Sequence, residues 1–283
     1  MRLRPGGLRR PAHPQGVDPA GAPCRPGGGP RTVIRRLFLP VVVVAALAGA
    51  CTGVSVKGED AAVAAKFRDI GSRELAIGQD EAALNDLLHA RDLDPTDATT
   101  HHLLGLAYLR LSRYAEAERA LQEALSRDPN MGPAHNSLGT LYSIQHKDAE
   151  AAAAFHAALA APGYATPEVA HGNLGQLYAR QGDALAAAAE MRAAVEANPA
   201  YEDAYLALAD LQLAGGETAA ARSLLEGALT RFPASARVHL ALGKLLIRTR
   251  DYRAALRTLK EGQKLAQEPG MREQIAQQID ILE

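Results

Sequence analysis

The sequence predicts an all-α fold, a right-handed superhelical solenoid of six repeated helix pairs closed by a C-terminal capping helix. Three observations predict it. The segments HHLLGLAY (101–108), HNSLGTLY (135–142), HGNLGQLY (171–178), YLALADLQ (205–212) and HLALGKLL (239–246) recur at spacings of 34, 36, 34 and 34 residues; self-similarity at a near-constant period marks stacked repeats. A second segment of each unit sets a small residue four places before a large one, in the pairs Ala83/Leu87, Ala117/Leu121, Ala151/Phe155, Ala187/Met191, Ala221/Leu225 and Ala255/Leu259. Prolines at 95, 129, 199 and 233 close most units, and proline cannot donate the amide hydrogen that continues a helix.

Counting back from the prolines, the repeats begin near Ala64, Ala98, Gly132, Glu168, Glu202 and Ala236 and fill residues 64–269. Gly105, Gly139, Gly175 and Gly243 let the two helices of a pair approach closely, and Tyr108, Tyr142 and Tyr178 fill the space beside them. Asp or Asn ahead of most closing prolines suits a turn. A single pair cannot bury its own apolar face, so stability comes from neighbour contacts along the stack. The one spacing of 36 falls at APGYATPEVAHGNLG, where two extra residues are expected to alter the pitch and present Tyr164 outward. From Met271 to Glu283, Ile275, Ile279 and Leu282 stand at helical spacing, and residues 270–283 are read as the cap. In period and pattern the units resemble the tetratricopeptide repeat.

The first 63 residues read differently. Residues 1–32 hold seven Pro and seven Gly with no periodicity and are read as a disordered or mis-annotated extension. Arg35 and Arg36 then precede the stretch Leu37 to Ala50, too short for a spanning helix but ordered like a secretory signal. Residues 33–50 are therefore expected to be a signal peptide, with translation beginning near Val33. Leu47-Ala48-Gly49-Ala50-Cys51 resembles the bacterial lipobox, which implies acylation of Cys51 as the first mature residue. An ordinary cleaved signal with an incidental cysteine is the plain alternative. Thr52 after the cysteine implies, by the same resemblance, delivery to the periplasmic face of the outer membrane, with residues 51–63 as a linker.

Composition narrows the function classes. Eight Arg and one Asp lie within residues 1–50, leaving 23 basic and 31 acidic residues after them, which argues against nucleic acid as a partner. The two cysteines, Cys24 and Cys51, cannot build a disulfide framework or a zinc cluster. His101, His135, His171 and His239 share one repeat position, but packed helices lie about 8–10 Å apart, too far for one metal ion. They are read as partly packed rings. Neither a phosphate-cradling glycine loop nor a nucleophile elbow is present, so no enzyme activity, cofactor, metal or small-molecule substrate is expected.

What remains is protein binding. Repeat geometry, carried over by the resemblance, puts His102, Leu106, Asn136, Thr140, Gly172, Gln176, Leu206, Asp210, Leu240 and Lys244 on a concave groove suited to another protein's helix or extended segment. Residues 236–269 hold eight basic residues against three acidic. Arg237, Lys244, Arg248, Arg250, Arg253 and Arg257 among them form either a solvated face or a docking patch for an acidic partner. A lipobox, a short linker and six repeats together resemble the type IV pilus biogenesis lipoproteins of the PilF/PilW/Tgl type. The resemblance implies a pilotin, a lipid-anchored module that helps secretin subunits reach the outer membrane and multimerise. Alternatives are another periplasmic scaffold lipoprotein, serving envelope enzymes or outer-membrane assembly, and, more remotely, a repeat-bearing enzyme.

Overall fold

The computed structural model describes residues 58–283. The expectations placed on residues 1–57, the extension, the signal, Cys51 and most of the linker, lie outside the described residues. Among these, thirteen helices and no strand occur. In chain order they are α1 (Gly58–Ala76), α2 (Asp80–Leu93), α3 (Ala98–Arg110), α4 (Tyr114–Arg127), α5 (Gly132–Ile144), α6 (Asp148–Ala160), α7 (Pro167–Gln181), α8 (Ala184–Ala197), α9 (Glu202–Ala214), α10 (Thr218–Arg231), α11 (Ala236–Arg248), α12 (Tyr252–Leu265) and α13 (Pro269–Asp280). Four repeat starts fall on the residue that the proline count gives, and α7 starts one residue earlier. The first differs more. Its helix begins at Gly58, so residues 58–63 are helix and not linker; Glu59 and Asp60 suit a helix N-terminus, and the alanines after them have high helix propensity.

Local chemistry fixes the turns. Asp94, Asp128 and Asn198 each accept, through a side-chain oxygen, the backbone N–H two residues on, at 3.0, 3.0 and 2.9 Å. The ring Nε2 of His101, His135 and His239 donates to the carbonyl of Pro95, Pro129 and Pro233, six residues earlier, at 2.9, 2.9 and 3.1 Å. Because a carbonyl only accepts, the histidine must be the donor, and the recurring ring is a latch from each repeat to the turn before it. His171 has no such proline, since Ala165 stands six residues earlier; its Nδ1 donates to Glu190 at 2.7 Å instead.

The turn inside every pair carries a second periodic device. Gly78, Ser112, His146, Gly182, Gly216 and Arg250 occupy one repeat position and all have positive φ, between 58° and 83°. Three are glycines, which adopt that conformation freely, and three are not.

Close approach within a pair depends on glycine. A Cβ at Gly105, Gly139 or Gly243 would meet Leu121, Phe155 or Leu259 at 2.6, 2.6 and 2.4 Å. In the fifth repeat Ala209 replaces this glycine, and α9 and α10 pack less closely than the helices of any other pair.

The ends of the stack differ. Leu104, Leu138, Leu174, Leu208 and Leu242 occupy one register position and are buried against the preceding repeat, none more than 8% exposed. The first repeat has Ile70 there, 43% exposed, flanked by exposed Lys66 and Arg73, charged residues that let this terminal face meet water. At the other end α13 buries Ile275 and Ile279 against Leu240, Leu259 and Ala266, which is the expected cap.

Candidate protein-binding groove

Across successive repeats the odd-numbered helices approach one another, α1 to α3, α3 to α5, α5 to α7 and α7 to α9, whereas the even-numbered ones do not. The odd helices therefore line the narrower, concave side. Two hydrogen bonds run along it. His102 Nε2 pairs with Ser137 Oγ at 3.2 Å, and Asn173 Nδ2 donates to Asn136 Oδ1 at 3.0 Å. Thr140 Oγ1 donates back to the Asn136 carbonyl at 3.1 Å. Burial drives the His102 pKa down from 6.5 to about 4, against a smaller opposing hydrogen bond at the Pro133 backbone. At neutral pH the ring is uncharged.

The groove opens at its C-terminal end. Leu206, Asp210, Leu240, Lys244 and Met271 line one cavity of about 260 Å³, and Gln176, Met191, Ala207, Asp210 and Leu211 line a neighbouring one of about 290 Å³. Asp210 belongs to both. Partial burial pushes its carboxyl above the ordinary carboxylate value, and the Lys244 charge partly reverses this. A larger cleft of about 340 Å³ lies beside the groove, with Glu202, Arg237 and Met271 in its wall. Both groove cavities thus touch the fifth repeat, where Ala209 replaces the glycine of the other pairs.

Five of the groove residues expected from the sequence, Gln176, Leu206, Asp210, Leu240 and Lys244, line these two adjoining cavities. His102, Asn136 and Thr140 stand in the polar stretch upstream, and Leu106 packs with Leu103 against the core formed by the first two repeats. Gly172 is different: it is buried, and a Cβ there would meet the Tyr201 hydroxyl at 2.8 Å, so it offers backbone and no side chain. The sequence reading missed Ser137, Asn173, Ala207 and Ala241, which follow the chosen positions by one residue and recur at the same spacing. That periodicity was the available signal.

Tyr164 does not point outward. Its ring covers Gly132, where a Cβ would meet it at 2.6 Å, and burial raises its hydroxyl pKa. The extra residues of the third junction thus fill a glycine hollow in the repeat before. Close by, buried Glu168 accepts from Asn198 Nδ2 at 3.1 Å.

The basic residues of the last repeat separate into two groups. Arg237 pairs with Asp203 at 2.7 Å and Glu202 at 3.5 Å, joining the last two repeats, and Lys244 stands in the groove. Arg248, Arg250, Arg253 and Arg257 lie on the end of α11, the turn after it and the first two turns of α12, and line neither groove cavity.

Comparison with known proteins agrees with this geometry. Sequence models of the tetratricopeptide repeat match residues 71–112, 98–131, 173–236 and 213–273. The chain is a tetratricopeptide repeat protein. Among solved structures, this tetratricopeptide repeat protein is similar to PilF of Pseudomonas aeruginosa, with a TM-score of 0.64 and 19% identity over 77% of this chain and 99% of that one. It is also similar to PilW, described as a widely conserved type IV pilus biogenesis factor, with a TM-score of 0.65 and 22% identity over 76% of this chain and 98% of the other. The Cut9 and Hcn1 assembly of the APC/C gives a TM-score of 0.61 and 14% identity over 79% of this chain, but only 44% of the matched chain. At these identities the likeness is one of fold. No curated protein sequence matches the chain.

Proposed function

We propose that the protein is a pilotin: a lipid-anchored, non-catalytic binding module of the outer membrane that holds secretin subunits of a type IV pilus and assists their multimerisation. One observation carries the reading. The repeats match PilF and PilW over nearly the whole length of those chains, whereas the Cut9 match uses under half of its chain. A match over almost the whole of another chain is more demanding than a match of repeat motifs alone.

Two further features support it. Cys51 stands seven residues before the first helix, behind an apolar stretch, so acyl chains there would tether the stack by its N-terminal end. The groove mixes apolar walls with Asp210, Lys244 and an amide pair, a surface suited to a polypeptide. The acyl chains supply the address and the groove supplies the grip.

Deletion of the gene followed by assay of twitching motility and of heat-stable secretin oligomers tests the reading. Loss of both, with restoration by the wild-type chain and not by Cys51→Ala, is expected. Unchanged oligomers in the deletion strain would exclude a pilotin.

A further inference from the structure

Arg248 ends α11, Arg250 lies in the turn, and Arg253 and Arg257 follow one helical turn apart on α12. All four are exposed, and among the described residues none forms an ion pair. Their neighbours are already committed: Lys260 to Glu283 at 2.8 Å, Lys264 to Glu261 at 2.9 Å, and Arg237 to Asp203. The acid in this stretch, Asp251, is committed too, since it accepts from the Ala254 amide of α12 at 3.3 Å and from Arg222 at 3.5 Å. Tyr252, 53% exposed, stands among the arginines.

Arg250 adds an independent observation. It has φ 63°, at the turn position that repeats one, four and five fill with glycine. An L side chain in that conformation is strained, as it is at Ser112 and His146, and of the three only Arg250 brings a permanent charge to the position. Within the fold the arginine gains no ion pair, and it stands beside three like charges.

We infer that this turn is a second docking site, separate from the groove, for a short carboxylate-rich segment of a protein partner. Guanidinium forks bind carboxylates in two-pronged fashion, so four of them about one turn suit several acidic side chains in succession. Residues 51–235 carry 14 basic and 25 acidic residues; a long polyanion such as nucleic acid would run onto that acidic body, whereas a short segment stays on the arginines. The inference does not depend on which protein fills the groove.

Fluorescence anisotropy with labelled hexaglutamate, and hexaglutamine as the neutral probe, tests it on the full chain in non-ionic detergent. Hexaglutamate alone should bind, and Arg253→Ala with Arg257→Ala should weaken it by about tenfold or more. Arg250→Gly should weaken binding and yet raise the melting temperature, a pairing that a merely solvated arginine would not produce. Arg119→Ala with Arg192→Ala, removing two surface arginines of α4 and α8, should leave binding within about twofold. Equal binding of hexaglutamine, unchanged affinity in the cluster variants, or an equal loss in the Arg119 and Arg192 variant would overturn the site.

Discussion

Single residues carry two measurable consequences. Ser112 and His146 sit at positive φ where other repeats use glycine. Ser112→Gly and His146→Gly should each stabilise the fold by about 0.5–1 kcal/mol, read from urea unfolding midpoints, because the backbone strain disappears with the Cβ. His102 gives a pH dependence. Its folded-state pKa near 4 lies below the ordinary 6.5, so the unfolded chain takes up the proton first. This contribution to stability is complete above pH 6.5 and is lost as pH falls from 6.5 toward 4. The loss should amount to roughly 1–3 kcal/mol. Unfolding at pH 7.5 and 4.5 should show it in the wild type and a smaller change in His102→Gln, which keeps a partner for Ser137. Asp97 acts in a lower window. Burial would raise its carboxyl, but hydrogen bonds from Thr100 and Arg68 hold it below the ordinary value, so its contribution fades only as pH drops through the acid range.

At the scale of helices, the glycine of each pair decides how near two cylinders come. At Gly139 the opposing atoms belong to the rigid ring of Phe155, with Cδ1 and Cε1 both 2.6 Å from an added Cβ. Gly139→Ala should therefore destabilise by about 1–3 kcal/mol, seen as a lowered melting midpoint. Helix number, turn sites and the small-to-large pairs were legible in the sequence because each repeats with the period of the stack. What escaped was not periodic or was read one register away. Residues 58–63 look like linker because counting one period back from the prolines stops at Ala64, and the first helix runs beyond that period. Tyr164 sits in an insertion, with no equivalent elsewhere to show that Gly132 leaves a hollow for it. The histidine latch was visible as a recurrent residue, but its partner is a carbonyl, which leaves no trace in side-chain chemistry. In the groove, repeat geometry found the cavity walls at Leu206, Asp210 and Lys244, yet missed the adjoining column from Ser137 to Ala241.

Over the whole stack, stability is the sum of junctions, so damage at one end should stay there. Ile275→Ala removes a fully buried side chain of the cap and should cost about 2–4 kcal/mol. Hydrogen exchange should accelerate in α11 to α13 and remain unchanged in α1 to α4; acceleration throughout would show one cooperative block in place of additive junctions.

The alanine at 209 has a further consequence. It stands where the two helices of a pair pack least closely and next to Asp210, the residue that both groove cavities share, so a change of side-chain size at this one position would reshape the two cavities at once.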